Sequence, residues 1–142
     1  MKTQQINLKN KMYNHIMISG NKNTCEKKML KNFKLLQKNT KKSHINLIKL
    51  AVVNSSPIVQ LRQIKKKKRK SIKEFPYVLN EKNRISLGIK QIVKKTTKMS
   101  NKNLYQEILL VSKKKSEILK TKEANHKLAL TQKKYVFFRW FF

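Results

Sequence analysis

The sequence predicts a mainly α-helical fold: a bundle of about six helices with a protruding basic β-hairpin arm between the third and fourth. Three observations predict it. Helix breakers are scarce, because Gly20 and Gly88 are the only glycines and Pro57 and Pro76 the only prolines, and a lysine- and leucine-bearing chain without them favours helix. Apolar residues recur at helical spacing over most of the length. That spacing lapses once, between Pro57 and Leu79, where two β-leaning runs flank six consecutive cations.

The first helix is expected over 4–18, ended by Gly20. A second is expected over 23–38, where Cys25, Met29, Phe33 and Leu36 share a face and Asn23 or Thr24 can cap. The third, over 43–54, rests on a shorter match of Ile45, Ile48, Ala51 and Val52. In the arm, Ile58–Ile64 and Ser71–Leu79 read as strands on either side of Lys65–Lys70, with Phe75, Tyr77 and Leu79 alternating as on a strand face. Pro76 confines its strand to an edge. Two strands alone are marginal in water, so the arm is expected to become ordered against a partner. The fourth helix, over 80–97, carries Ile85, Ile89, Ile92 and Val93. The fifth spans 101–115 through Leu104, Ile108 and Val111, with Ser100 as its cap, and the sixth spans 117–133. The organisation read is one domain over 1–142, an arm over 57–79 and an aromatic tail over 134–142.

Charge bounds the function. With 36 Lys and Arg against 6 Glu and no Asp, the net charge is +30. Such a chain repels itself and adheres to polyanions, so a densely anionic partner is implied. The surplus runs through nearly the whole chain, which makes nucleic acid the first partner and an anionic membrane surface the second. The free protein is expected to be loosely folded until the anion binds. All cations except Arg62, Arg69, Arg84 and Arg139 are lysine. Lysine is a point charge without the guanidinium fork, which favours recognition of backbone shape over base identity. The abundance of Lys, Asn, Ile and Phe, whose codons can be written in A and T alone, fits an AT-rich genome. Cys25 is the lone cysteine, so it reads as a small apolar helix residue and no intramolecular disulfide or Cys-based zinc site is available. Residues 1–10 lack the arginines of a transit peptide and the apolar core of a signal peptide. No apolar run reaches the roughly 18 residues that span a bilayer.

Catalysis is poorly supplied, and no catalytic residue, metal ligand or cofactor site is expected. No two glutamates fall at helical i,i+3 or i,i+4 spacing for paired acid–base work. His15, His44 and His126 lie far apart without ligand partners at metal-binding spacing. There is no glycine-rich phosphate loop and no Gly-x-Ser-x-Gly turn. His126 reads as a surface or helix-packing residue. The ending Tyr135-Val136-Phe137-Phe138-Arg139-Trp140-Phe141-Phe142 allows an interfacial membrane anchor or packing on the domain's own core. The preferred reading is a contact tail, with Arg139 and Trp140 able to stack on bases or on a neighbouring protein.

The chain resembles bacterial-type small-subunit ribosomal protein seven. Lys120-x-x-Glu123-x-x-His126-Lys127-x-Ala129, leading into Lys133-x-Tyr135-x-x-Phe138-Arg139-Trp140, is similar to that family's basic helix and its Arg-Trp ending. The stretch Lys11–Lys22 resembles the family's apolar helix closed by Asp-Gly-Lys-Lys. Pro57, Pro76 and Arg84-x-x-Leu87-x-Ile89-x-x-Ile92 match the arm and the helix after it. The departures include a Lys/Arg run in place of the two glycines of the family's hairpin tip, a somewhat longer arm, no basic N-terminal extension, and Gln132 and Phe137 in place of the Asn and His of the ending. The resemblance implies a structural, rRNA-binding constituent of the small ribosomal subunit. It would bind the 3′ major domain, help assemble the head, and lie near the mRNA exit and the exit-site tRNA, among other head proteins. Carried over, Arg62, Lys65, Lys66, Lys67, Lys68, Arg69, Lys70 and Lys73 would hold the arm against rRNA. Lys9, Lys11, Lys22 and Arg84 would serve the helical rRNA face. Lys127, Lys133, Arg139 and Trp140 would approach tRNA or a neighbouring protein. Composition, the missing presequence and the retained ending point to an organelle-encoded copy, mitochondrial rather than plastid. No membrane or small-molecule partner is expected. The alternatives from other classes are a histone-like cationic nucleic-acid-binding protein and a cationic membrane-active one.

Overall fold

Helices form where the apolar spacing predicts them. The computed structural model describes residues 8–17, 19–40, 43–65, 72–98 and 104–141, with the backbone alone described at 64–65, 72–73, 97–98 and 138–141. Before the arm come α1 (Leu8–Ile16), α2 (Lys22–Asn39) and α3 (His44–Ser55). The strands β1 (Val59–Lys65) and β2 (Ile72–Val78) then pair antiparallel. After them come α4 (Glu81–Lys98), α5 (Leu104–Ser112), α6 (Glu117–Thr131) and a terminal 3-10 helix (Lys133–Phe141). The mainly helical architecture and the position of the hairpin are as the sequence predicts.

The ends are set by local chemistry. After α1, Ser19 and Gly20 both take left-handed backbone angles, φ 52° and 72°, and the chain turns directly into α2. The cap of α2 is therefore Asn21, rather than the expected Asn23 or Thr24. Its side-chain oxygen accepts from the Thr24 amide at 3.5 Å, and the Thr24 hydroxyl donates back to the Asn21 carbonyl at 3.0 Å. Ser43 caps α3 and Ser116 caps α6. Ser100, expected to cap α5, lies outside the described residues, as do 4–7 and 101–103 of the expected helices. The helix α5 ends three residues before the expected position 115. Lys114 sits at φ 57°, the Lys115 amide reaches the Leu110 carbonyl at 2.9 Å, and the Lys114 amide reaches Val111 at 3.1 Å. This is a Schellman ending with lysine where glycine is usual.

One hydrophobic core joins all six helices. Met12, Tyr13, Cys25, Met29, Phe33, Leu36, Ile48, Ala51, Val52, Ile89, Ile92, Ile108, Val111 and Ile118 are buried in one cluster. Every residue of the expected α2 face is inside. Cys25 behaves as the small buried residue expected, its thiol donating to the Tyr13 carbonyl. Ile45 is the exception on α3: it is 54% exposed and borders an open groove between α1, α2 and α3. Where α4 crosses the end of α3, Gly88 is buried, and a Cβ there would stand 2.8 Å from Ser55 Oγ and 3.2 Å from Ser56 Cα.

A buried polar cluster fixes α6 to the rest. Glu107 of α5 is fully buried, and Ser116, the α6 cap, donates its hydroxyl hydrogen to the glutamate's Oε1. Lys95 of α4 places its ammonium 3.5 Å from the same oxygen and 3.0 Å from Oε2 of Glu117. One lysine thus spans three helices.

Candidate RNA interface

The arm is a ribbon of two edge strands, in register from Val59 opposite Val78 to Lys65 opposite Ile72. Pro76 faces Leu61 in this register. Its missing N–H is harmless where no third strand needs it. Pro57 and Leu79 at the arm's root, and Phe75 and Pro76 along β2, are apolar and buried. Polar side chains pair across the strands. Tyr77 donates its phenol hydrogen to Gln60 Oε1 at 2.8 Å, and Gln63 donates to Glu74 Oε1 at 2.8 Å. Exposed Arg62 lies 4.3 Å from the centre of the Tyr77 ring, diagonal to it across the ladder. Glu74, the arm's only carboxylate, is also engaged by Gln132 at 3.4 Å. The terminal 3-10 helix packs its backbone against β2, so the aromatic tail begins on the arm itself, with Phe137 77% exposed.

Main-chain atoms fix the direction in which the arm leaves the bundle. Arg84 of α4 donates through Nε to the Pro57 carbonyl at 3.3 Å. The Ile58 amide donates to His126 Nε2 of α6 at 3.3 Å. Lys122 donates to the Asn54 carbonyl at 2.8 Å, and the Leu79 amide closes the root on the Ile58 carbonyl at 3.0 Å. Burial, and then the neighbouring Lys122, hold His126 below the ordinary imidazole value. Burial, and then Arg84, lower Lys122 from the ordinary lysine range. A neutral His126 is the form that can accept from Ile58.

The expected site residues separate into groups. Arg62 lies on β1, and the register places Lys65 opposite Ile72 and Lys73 opposite Ile64. The side chains of Lys65 and Lys73 lie outside the described residues, as do Lys66, Lys67, Lys68, Arg69 and Lys70 entirely. Arg84 stands at the root, its Nε directed to the chain's own carbonyl. On α1, exposed Lys9 sits 5.8 Å from the Tyr13 ring centre and Lys11 is half-buried. Lys22 is exposed and 3.9 Å from Glu26, a surface pair of little energetic weight. Lys127 and Lys133 are exposed. Arg139 and Trp140 lie in the 3-10 helix, their side chains outside the described residues.

Sequence reasoning missed His126 as an anchor of the arm and missed a recess beside the root, bordered by α1 and α4. The one signal for the recess was Asn83, Ser86, Leu87 and Lys90, spaced along one face of α4. Among the described residues no three His, Cys, Asp or Glu side chains come together as a metal site, and no helix is long and apolar enough to cross a membrane.

Comparison with known proteins gives the family. The family described as ribosomal protein S7p/S5e matches residues 2–133. Small ribosomal subunit protein uS7 of Thermotoga petrophila is 27% identical over 135 residues, covering 92% of this chain and 85% of the relative. Small ribosomal subunit protein uS7m of Reclinomonas americana is 28% identical over 134 residues, covering 92% and 83%. The uS7 of Pelagibacter ubique is 27% identical over 134 residues, with 92% and 85% covered. The chain, with its six-helix bundle and basic arm, belongs to the ribosomal protein S7p/S5e family and is, like that family, a structural and non-enzymatic protein of the small ribosomal subunit.

Proposed function

We propose that this protein binds the 3′ major domain of small-subunit rRNA as one domain, helps assemble the subunit head, and works near the mRNA exit and the exit-site tRNA. The observation that carries this is the arm: a ribbon rooted rigidly in the bundle whose strands are joined through Lys66–Lys70 in a chain of net charge +30. Phosphates are the ligands, and lysine ammoniums neutralise them with release of counterions. In this reading Arg62 and Lys65–Lys73 form the contact of the 57–79 arm. Lys9, Lys11, Lys22 and Arg84 supply the helical face, and Lys127, Lys133, Arg139 and Trp140 meet a head protein or tRNA through the 134–142 tail. AT-biased composition and the likeness to a mitochondrial uS7m support a mitochondrial ribosome as its location.

Each phosphate contact contributes roughly −0.7 to −0.9 to the slope of log affinity against log salt. Replacing Lys65–Lys68 by alanine should flatten the slope by about 3 for a 3′-major-domain transcript and slow head assembly. An unchanged slope removes the arm from the mechanism. In Mg²⁺ gradients of mitochondrial extract the protein should sediment with small subunits; sedimentation elsewhere would remove the assignment to that ribosome.

A further inference from the structure

The root of the arm, α1 and α4 border an open recess of about 300 Å³. Its lining is unlike the rest of the surface. In a chain of net charge +30, Lys90 is the only lysine or arginine, and no carboxylate is present, among the described residues that border it. The remaining polar groups are the neutral side chains of Gln60, Tyr77, Asn83 and Ser86, together with His15. Burial, then Lys90 and Lys11, keep His15 below the ordinary imidazole value, so near neutral pH its ring offers one donor and one acceptor. Tyr77 donates its hydrogen to Gln60 Oε1, which leaves the Gln60 amide hydrogens free to donate. The side chains of Asn83 and Ser86 make no hydrogen bond to other described residues. Leu79 and Leu87 supply an apolar wall.

These groups do not suit phosphate, which is held by clustered cations or converging backbone amides. They suit the edge of a nucleobase, which presents donors and acceptors without formal charge. The volume, at the bottom of the range for ligand sites, has room for one planar base. Cations are at hand for the flanking phosphates: Lys90 in the lining and Arg62 over the Tyr77 ring. Sequence-specific recognition of RNA falls mainly on unstacked bases in loops and bulges.

We propose that this recess receives a single unstacked RNA base, its edge read by Gln60, Asn83 and Ser86, and that it is the base-specific element of an otherwise phosphate-directed interface. The proposal rests on the RNA-binding reading above. The test uses the full chain and a transcript of the 3′ major domain of a bacterial-type small-subunit rRNA. Affinity is measured across salt concentrations, and base edges are probed with dimethyl sulfate and carbodiimide. The double variant Asn83→Ala with Ser86→Ala should bind about 10- to 100-fold more weakly with an unchanged salt slope. One nucleotide shielded by the unsubstituted protein should become reactive. Alanine suits these α4 positions, and circular dichroism checks folding; if that variant unfolds, the uncharged near-isostere Asn83→Leu repeats the test with the same expected outcome. Unchanged affinity, a slope shallower by about one unit as for a lost phosphate, or no change at any base overturns the recess while leaving phosphate-directed binding intact. Failure of the unsubstituted protein to bind the transcript at low salt overturns the RNA reading, and the recess's occupant with it.

Discussion

Replacing Lys95 by methionine tests how much of the fold depends on one half-buried cation. The ammonium stands 3.5 Å from Glu107 Oε1, and the Glu107 side chain is only 1% exposed. Two unit charges at 3.5 Å attract by roughly 5 kcal/mol at an effective dielectric constant near 20. The cost of burying Lys95, whose side chain is 15% exposed, offsets part of that. Removing one partner of a buried pair destabilises by about 3–5 kcal/mol. Because Lys95 keeps some contact with water, the lower end applies, about 3 kcal/mol. That is about two powers of ten in the folding equilibrium and roughly 10 °C in Tm for a chain of this length. The second partner, Glu117, is 71% exposed, so Glu117→Gln should cost less than about 1 kcal/mol. Urea unfolding followed by circular dichroism measures both. The experiment belongs in 1 M salt, where the Debye length is about 3 Å and general relief of lysine repulsion is screened. Combining Lys95→Met with Glu107→Leu should recover most of the loss, since no orphaned carboxylate remains. If Lys95→Met costs no more than Glu117→Gln, or the double variant is as unstable as the single, the reasoning is refuted.

Three further outcomes are expected. Gly88→Ala should destabilise by about 1–3 kcal/mol although alanine is the better helix former by about 1 kcal/mol, because its Cβ would meet Ser55 Oγ at 2.8 Å and Ser56 backbone at 3.2 Å; urea unfolding gives the sign. Lys114→Gly should stabilise by up to about 1 kcal/mol by removing a left-handed lysine, read as a rise in Tm. Stability should fall with acidification below about pH 6.5, because His126 and His15 both lie below that ordinary value in the folded protein and the unfolded chain takes up protons first. Their contribution is present above the unfolded value and lost as pH falls through the folded ones. His126→Gln keeps an acceptor for Ile58 and should remove part of that loss; Tm against pH measures it, and an unaltered profile would refute a neutral folded-state His126.

Faces repeated along one helix were legible in the sequence. Cys25, Met29, Phe33 and Leu36 follow the helical repeat and all four are buried. Pro57 and the alternation around Phe75 marked the arm for the same reason, since both signals lie within a few consecutive residues. Features that depend on which elements meet were not legible. Ile45 has the spacing of a core residue, yet no described residue covers it. Glycine is the usual sign of a Schellman ending, and here Lys114 takes that left-handed position instead. The hydrogen bond from Ile58 to His126 spans 68 residues, and the recess draws on three elements. Only the packed bundle brings such groups together.

The arm's anchoring has a mechanical consequence. A strand of seven residues extends about 23 Å at 3.3 Å per residue, so a tilt of about 10° where it joins the bundle would swing its far end by about 4 Å. Two of the bonds resisting that tilt are made by the Pro57 carbonyl and the Ile58 amide, atoms that any residue except proline at the second position would supply. Mutation can therefore rewrite the ribbon's outer side chains freely while its aim is preserved.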